Sequence, residues 1–181
     1  MRLLVLNYEY PPLGGGASPV TAAICKELAA RGHRVDVVTM AFRGLPRIEE
    51  SGGHRILRIP CLRAQRHLCR TYELATWVAS AMRSVPPLAR AEQYDLVHAH
   101  FFFPSGVVAW WLKRTLGIPY VVTAHGSDVP GYNPDRFRAM HTLLGPAWRK
   151  VVRDADLVVS PSRSLARLIE RNVGAVGYRS E

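Results

Sequence analysis

Short runs of β-branched and aliphatic residues alternate along this chain with longer stretches of helical periodicity. Strands are predicted at residues 2–6, 35–39, 54–59, 95–100, 119–123 and 157–160. Helices are predicted at residues 18–31, 71–85, 105–116, 136–152 and 162–171. Alternation of this kind is typical of a parallel sheet covered by helices on both faces. The sequence therefore predicts an α/β fold, a Rossmann-like, doubly wound and mostly parallel sheet.

Local signals predict how the first helix is placed. Ser18 is its predicted N-cap, with a proline in the first turn, and Gly32 ends it in the left-handed C′ position. The predicted buried face consists of Val20, Ala23, Ile24 and Leu28.

Prolines and glycines predict three interruptions further along the chain. The proline pair 86–87 is predicted to end the second helix, whose apolar face includes Trp77 and Val85. The pair 145–146, Gly-Pro, is predicted to break the fourth helix. Residues 42–53, rich in glycine, proline and charge, are predicted to be irregular.

The length and composition predict one domain, residues 1–181, because 48% hydrophobic residues in 181 are enough for one buried core. No apolar stretch approaches the roughly 18 residues that a membrane span needs. Cys25, Cys61 and Cys69 fit neither a disulfide framework nor a CxxC metal site. A reducing cytoplasm is the compartment that this composition favours.

Basic residues outnumber acidic ones by 24 to 14, and all but three of them are arginine. Such an excess favours anionic partners such as nucleic acid, phosphate groups or a phospholipid surface. The arginines are scattered and no nucleic-acid-binding motif is present, so no nucleic-acid partner is predicted. Affinity for phosphate or for a membrane surface remains open beside a simple compositional bias.

Ligands of a doubly wound sheet bind beyond the carboxyl ends of the strands, where the strand order reverses. If the predicted strands are ordered 3-2-1-4-5-6, this crevice lies between the first strand and the strand at 95–100. The loops that line it are then residues 7–17, 100–105 and 124–134. Candidate functional residues are therefore sought in these loops.

The first loop ends in Gly14-Gly15-Gly16, directly before a helix. Glycines leave backbone N–H groups unshielded and a helix N-terminus favours an anion, so a phosphate is the predicted guest. A dinucleotide fingerprint is excluded, because Pro19 stands where the third glycine belongs and no acidic residue follows the second strand. No Gly-Lys-Ser/Thr follows either, which excludes a Walker loop. A plain turn remains the alternative.

His98 and His100 lie two positions apart on a predicted strand, so their side chains point to the same face. One interpretation is that both imidazoles are ligands of a zinc site, with His125 as a third ligand. The alternative is a core histidine at 98 and a cleft-facing one at 100. No cysteine or carboxylate is spaced to complete a site, and no metal is predicted.

His125 follows another predicted strand and precedes a glycine, at the mouth of the crevice. A histidine here can donate to a sugar hydroxyl or to developing negative charge. Ser127 could be interpreted as the nucleophile of a hydrolase triad, with His125 and Asp128 as its partners. This interpretation is disfavoured because residues so close in sequence rarely reach triad geometry. No G-x-S-x-G elbow is present. A plain loop histidine remains the alternative.

Ordered fragments of the chain resemble the N-terminal domain of GT-B glycosyltransferases, specifically the retaining group called glycosyltransferase family 4. The opening strand is followed by Tyr10-Pro11-Pro12 and by the three glycines. Further fragments are LAARGHRV at 28–35, DLVHAH at 95–100, GIPYVVTAHG at 117–126 and ADLVVSPS at 155–162. Each fragment alone is weak evidence, but the ordered set covers residues 1 to about 170 and is specific.

The resemblance implies an enzyme that moves a sugar from a nucleotide-sugar donor to an acceptor hydroxyl with retention, without a divalent metal or another cofactor. Its N-terminal domain holds mainly the acceptor. Carried over by motif, the backbone of Gly14, Gly15 and Gly16 contacts the donor phosphate, and His125 is the catalytic residue beside the donor sugar. The cleft and acceptor residues are Tyr10, His100, Ser127 and Asp128.

The donor-binding half of such enzymes, with its Glu-x7-Glu element, has no counterpart in this sequence. We therefore expect a hexosyltransferase-like half-domain that is inactive by itself. A stand-alone nucleotide- or phosphate-binding module without transfer activity is the alternative, and a flavodoxin-like scaffold is a further one.

Residues 60–70 form a basic loop before the second helix. Its cations are Arg63, Arg66, His67 and Arg70. Together with the helix that bears Trp77 and Met82, this loop is a candidate dock for a sugar, small-molecule or lipid-linked acceptor. A lipid-linked acceptor implies peripheral contact with the inner face of the plasma membrane. The alternative is that the helix packs its apolar face on the sheet.

Overall fold

The computed structural model describes residues 1–133 and 138–173. In this part of the chain the strands are β1 Arg2–Leu6, β2 Arg34–Met40, β3 Ile48–Ser51, β4 His54–Ile59, β5 Leu96–His100, β6 Tyr120–Thr123 and β7 Leu157–Val159. The helices are α1 Ala17–Ala30, α2 Thr71–Glu92, α3 Val107–Leu116, α4 Arg138–Asp154 and α5 Arg163–Val173. An irregular turn, Phe102–Gly106, joins β5 to α3; Phe103 is extended in it, and the Gly106 N–H donates to the carbonyl oxygen of Phe101 at 3.0 Å.

The strands form one sheet in the order β3-β4-β2-β1-β5-β6-β7. Every neighbouring pair is parallel except β3 and β4 at one edge. The six predicted strands therefore stand in the predicted order, and the Rossmann-like α/β class is confirmed. The order reverses between β1 and β5, which places the ligand crevice beyond the carboxyl ends of these two strands.

Successive side chains of β1 enter two separate cores, because strand residues alternate between the two faces of a sheet. Leu4 and Leu6 belong to the larger core, which is covered by α2, α3, α4 and α5. Leu3 and Val5 belong to the smaller core under α1. Helices thus cover both faces, and the carboxyl edge of the sheet is left for ligands.

The predicted start of α1 is wrong, and its predicted buried face is right only in part, since Leu28 packs against the smaller core. Gly16 is the N-cap, and Ser18 lies buried in the first turn instead of capping it. Val20, predicted to be buried, is 48% exposed. The Thr21 hydroxyl accepts a hydrogen bond from the Asn7 side chain at 2.7 Å, so a polar contact turns this face of the helix towards the end of β1. The buried positions are Ala17, Ser18, Thr21 and Cys25.

The predicted break at residues 86–87 is also wrong, since α2 continues through both prolines to Glu92. Each proline removes one backbone hydrogen bond from the helix. Val85 and Ala89, on either side of the pair, are buried in the larger core and hold the helix in line. Tertiary packing here outweighs the local helix-breaking signal.

Residues 42–53 contain a strand that was not predicted. β3 pairs antiparallel with β4 through a two-residue turn at Gly52 and Gly53, which have φ of 60° and 79°. A turn with both central residues at positive φ is the usual tight connection of a β-hairpin, and glycine adopts it freely. β3 carries mostly polar, exposed residues, so its hydrophobic pattern gave no strand signal.

The predicted break of the fourth helix at residues 145–146 is wrong as well, because α4 is continuous there. Trp148 and Val152 are buried just beyond it and fix this part of the helix to the sheet. The predicted start at Arg136, and the end of the preceding loop at Pro134, lie outside the described residues. Gly117 ends α3 with a φ of 71°, which confirms the predicted cap.

Candidate functional site

A cleft of about 410 Å³ lies at the carboxyl edge of the sheet, where the loops after β1, β5 and β6 meet residues 67–69. Its walls consist of Tyr8, Glu9, Gly15, Gly16, Ala17, His67, Leu68, Cys69, Phe101, His125 and Ser127. Five of the candidate functional residues singled out in the sequence therefore come together: Gly15, Gly16, His67, His125 and Ser127.

The glycine loop holds a carboxylate against its backbone. The Gly15 N–H donates to Oε2 of Glu9 at 2.6 Å. A Cβ built on Gly16 would meet nothing within 4 Å, so the loop is open at that point. An oxygen anion thus already occupies a backbone N–H at the start of α1, where the helix dipole favours negative charge.

Gly14 has a different role from its two neighbours. Its φ is 97°, and a Cβ at this position would lie 2.4 Å from Cβ of Glu9, so only glycine fits. Its N–H donates to the carbonyl oxygen of Arg66 at 2.8 Å. Gly14 therefore shapes the loop and ties it to the basic segment, and its own N–H is already bonded within the chain.

Three histidines form a row that leads from the sheet to the cleft. His98 Nε2 lies 2.8 Å from Oγ1 of Thr123, and His100 Nδ1 lies 3.0 Å from Nε2 of His125. The rings of His98 and His100 stack with centroids 4.5 Å apart. His125 reaches the cleft, while His100 is fully buried behind it.

Burial lowers the pKa of all three histidines. The pKa of His98 falls to about 4 because its ring is desolvated. The pKa of His125 falls to about 4 through desolvation and through the nearby His98. His100 has a pKa well below its ordinary value for the same two reasons, with His98 and His125 both opposing its charge. At neutral pH the row is therefore uncharged.

Asp128 faces the backbone of the site and not its opening. Its side chain is almost fully buried, with Oδ1 accepting from the His125 N–H at 3.0 Å and Oδ2 from the Phe102 N–H at 2.8 Å. Its carbonyl oxygen accepts from Nε1 of Trp148. Desolvation raises the pKa of Asp128 to about 6, against the opposing effect of these N–H donors. Asp128 thus clamps the loops after β5 and β6 together.

Tyr10 does not reach the cleft. It is buried in the smaller core under α1, and its hydroxyl contacts Nε2 of His54 on β4. Ser127 is half-buried in the cleft wall. Of the predicted acceptor residues, only Ser127 therefore faces the open space directly.

Sequence reasoning assigned no role to Glu9 and Phe101 of the cleft wall, and it did not place residues 67–69 of the basic loop at the predicted crevice. Phe101 has a φ of 73°, a strained value for a residue with a side chain, and its ring lies 4.5 Å from that of His125. No sequence pattern predicts a positive φ at this phenylalanine. Glu9 had a usable signal, since it lies at the end of a strand and just before the glycines.

The basic loop before α2 is held by its own hydrogen bonds. Arg63 donates to the carbonyl oxygens of Tyr8 at 3.1 Å and Arg66 at 2.9 Å. The carboxylate of Glu73 accepts from the N–H groups of Ala64 and Arg70. Arg63 is thus a structural cation. The exposed side chains in this part of the molecule include Leu62, Arg66, His67, Leu68, Arg70 and Tyr72.

The family model for Glycosyltransferase Family 4 matches residues 14–177, which includes the glycine loop and the histidine row. The chain belongs to glycosyltransferase family 4. The membership expected from the ordered sequence fragments is therefore confirmed, and the domain is a glycosyltransferase domain.

Two curated relatives illustrate this family-4 membership. The chain is 32% identical to a 2-deoxystreptamine N-acetyl-D-glucosaminyltransferase of Streptomyces fradiae over 169 residues, covering 87% of this chain and 39% of the relative. It is 31% identical to a D-inositol 3-phosphate glycosyltransferase of Corynebacterium diphtheriae over 136 residues, covering 69% of this chain and 31% of the relative. The chain thus spans well under half the length of these family-4 enzymes.

Among solved structures, the sucrose-phosphate synthase of Thermosynechococcus elongatus superposes with a TM-score of 0.81 at 19% identity. The match covers 99% of this chain and 47% of that one. The similarity supports the GT-B type of α/β fold for this family-4 domain.

Two further findings concern the described part of the family-4 domain. No helix there combines the length and apolar character needed to cross a bilayer. Within residues 1–133 and 138–173, no group of three or more His, Cys, Asp or Glu side chains is arranged to hold a metal ion. His98 and His100 contact a hydroxyl and a second imidazole instead.

Proposed function

We propose that this chain is the acceptor-side half of an enzyme that moves a sugar from a nucleotide-sugar donor to an acceptor hydroxyl with retention. The observation that carries the proposal is the meeting of Gly15, Gly16 and His125 in one cleft at the carboxyl edge of the sheet, in a family 4 chain. Retention without a protein nucleophile rests on the family alone.

The glycine loop is proposed to receive the donor phosphate. The Glu9 carboxylate, bonded to the Gly15 N–H, supports this because the same N–H suits a phosphate oxygen. A phosphate at this point has to displace Glu9, since two anions cannot share one N–H at close range. Gly14 takes part by shaping the loop, and Gly15 and Gly16 offer the open backbone.

His125 is proposed to contact the donor sugar or the leaving phosphate as a neutral hydrogen-bond donor. Its lowered pKa keeps it uncharged, and an N–H aimed at developing negative charge lowers the barrier of a transfer step. Asp128, through its bond to the His125 N–H, is proposed to position the loop and not to contact the acceptor.

The acceptor is proposed to be a polyhydroxylated small molecule. The names of the two relatives give 2-deoxystreptamine and D-inositol 3-phosphate as acceptors, and the second carries a phosphate. Arg66, His67 and Arg70 stand exposed beside the cleft and suit an anionic group. A lipid-linked acceptor at the inner face of the plasma membrane is the alternative, and a cytoplasmic location is proposed for either acceptor.

Liposome co-sedimentation at low salt tests the membrane part of the proposal. Binding to anionic vesicles that is lost on replacing Arg66 and Arg70 by glutamate supports it. No binding to anionic vesicles contradicts a membrane-borne acceptor and leaves the small-molecule acceptor.

The second candidate function is a stand-alone nucleotide- or phosphate-binding module, which the glycine loop would also serve. Isothermal titration with UDP and GDP separates the two. Measurable but weak binding, in the millimolar range, and no turnover of UDP-sugars by the chain support a half-enzyme whose main nucleotide contacts lie elsewhere. Micromolar binding that is lost in Gly15→Val contradicts it. A Cβ at Gly15 lies 3.7 Å from Glu9, so the fold accepts this substitution while the valine fills the loop.

A further inference from the structure

His100 and His125 approach each other edge to edge. Their nitrogens, Nδ1 of His100 and Nε2 of His125, are 3.0 Å apart, while the ring centroids are 5.2 Å apart and the planes differ by 26°. In this arrangement one nitrogen carries the hydrogen and the other accepts it. The bond therefore couples the tautomers of the two rings.

The remaining nitrogen of His100 decides between the two possibilities. Nε2 of His100 is buried and has no hydrogen-bond partner in the described part of the chain. If His125 donated, His100 would carry its hydrogen on this nitrogen, as a buried N–H without an acceptor. Orphaned buried N–H groups are rarer in proteins than under-used acceptors. The favoured arrangement has the hydrogen of His100 on Nδ1.

We propose that His100 is a positioning residue, which donates its Nδ1–H to His125 and thereby holds His125 as the Nδ1–H tautomer. With Nε2 engaged, the free nitrogen of His125 is Nδ1, for which no other partner is found among the described residues. His125 then offers the cleft an N–H donor and not a lone pair.

This tautomer defines what His125 recognises. An N–H suits an oxygen that is negative or becomes so, such as a diphosphate oxygen or a sugar hydroxyl acting as acceptor. It does not suit the removal of a proton from the acceptor hydroxyl, which needs a free lone pair. The inference rests on the proposed function for the identity of the ligand, but the tautomer itself is a property of the chain.

Nitrogen NMR of the histidine rings tests the proposal directly. The chain is labelled with 15N-histidine, and ring nitrogen–proton correlations at neutral pH report which nitrogen is protonated. We expect both His100 and His125 to be protonated on Nδ1. Protonation of His125 on Nε2 in the wild-type chain overturns the proposal, whatever the variants do.

Two substitutions of His100 separate positioning from a purely structural role. His100→Phe removes the donor, and we expect His125 to lose its single tautomer. His100→Asn places an amide N–H near the former Nδ1, and we expect the Nδ1–H tautomer of His125 to be restored. His98→Gln is the matched control, because the glutamine amide can keep a bond to Thr123 and the tautomer of His125 should not change. A tautomer of His125 unaffected by His100→Phe contradicts the proposal.

Titration with UDP distinguishes failure of this inference from failure of the proposed function. We expect UDP to shift the Nδ1 signal of His125, and His100→Phe to weaken binding by about tenfold. If His125 has the predicted Nδ1–H tautomer but UDP shifts no signal, the positioning role of His100 stands and the proposed function is contradicted. An effect of UDP on a His125 protonated at Nε2 supports the function and overturns the positioning.

Discussion

Polar groups around the cleft are hydrogen-bonded to one another within the chain. Glu9 binds the Gly15 N–H, His100 bonds to His125, and Asp128 binds two backbone N–H groups. A ligand that enters the cleft therefore exchanges existing bonds for new ones. Predictions at this scale concern what happens when one member of a pair is changed.

Glu9→Gln is expected to tighten the binding of inorganic pyrophosphate by about tenfold, or about 1.4 kcal/mol. The substitution keeps the shape of the side chain but removes the negative charge that a phosphate must displace. NMR titration of the Gly15 and Gly16 amides measures the change. Glu50→Gln, on the exposed edge strand, is the control and should leave the affinity unchanged; equal affinities in all three proteins would refute competition by Glu9.

Asp128→Asn is expected to lower the free energy of unfolding by about 1 to 3 kcal/mol. An amide has one oxygen, so one of the two backbone N–H groups is left facing an NH2 group in a buried place. Urea denaturation gives the value. Ser127→Ala, next to it in the cleft wall, should change stability by less than about 0.5 kcal/mol. If both variants are equally stable, Asp128 is not the clamp described above.

The sequence predicted the residues of the cleft better than their directions. Gly15, Gly16 and His125 were found because each follows a predicted strand at the carboxyl edge. The resemblance implied cleft positions for Tyr10 and Asp128 as well, yet both side chains turn away from the cleft. The direction of a loop side chain depends on backbone angles such as the φ of 73° at Phe101, which the sequence does not reveal.

Secondary-structure elements follow the alternation of apolar runs, and their order in the sheet was predictable for that reason. The failures lie where packing opposes a local signal. α2 passes through two prolines because residues on both sides are buried. α1 turns Thr21 and not Val20 inwards because of the bond from Asn7. Neither outcome is encoded in propensity alone.

Trp77→Ala is expected to cost about 3 to 5 kcal/mol of stability, because its ring is fully buried in the larger core. Tyr72→Ala, on the same helix with half its surface exposed, should cost less than about 0.5 kcal/mol. Thermal or urea unfolding compares them. The pair also tests the position of α2, since a Trp77 that faced a membrane would be as tolerant as Tyr72.

At the scale of the whole molecule, the chain is strongly basic, with a formal net charge of +10. The cleft lies at the carboxyl edge of its sheet. Its buried histidines give it a pH dependence of a definite sign. His98 and His125 have folded pKa values of about 4 against an ordinary 6.5, so the unfolded chain binds protons first as the pH falls. Their contribution to stability is present above pH 6.5 and lost towards pH 4.

Asp128 acts in the opposite direction, because its folded pKa of about 6 exceeds its ordinary 3.8. Its protonation favours the folded state as the pH falls through 6. This gain in stability offsets part of the loss that the histidines cause. We expect a net loss of stability between pH 6.5 and 4, because the lowered pKa of His100 acts in the same direction as those of His98 and His125. His98→Gln should reduce the slope of unfolding free energy against pH by up to about 1.4 kcal/mol per unit in this range. Urea unfolding at several pH values measures it, and identical slopes would contradict the assignment.

The central claim is that the glycine loop and His125 form one ligand site. We would titrate UDP into the 15N-labelled chain and follow the amides of Gly15 and Gly16 together with the ring of His125. All three should shift with a common dissociation constant in the millimolar range while the amide of Gly117 stays still. In Gly15→Val, the shifts of the Gly16 amide and the His125 ring should vanish. Absent shifts, or shifts confined to other parts of the molecule, would contradict the account.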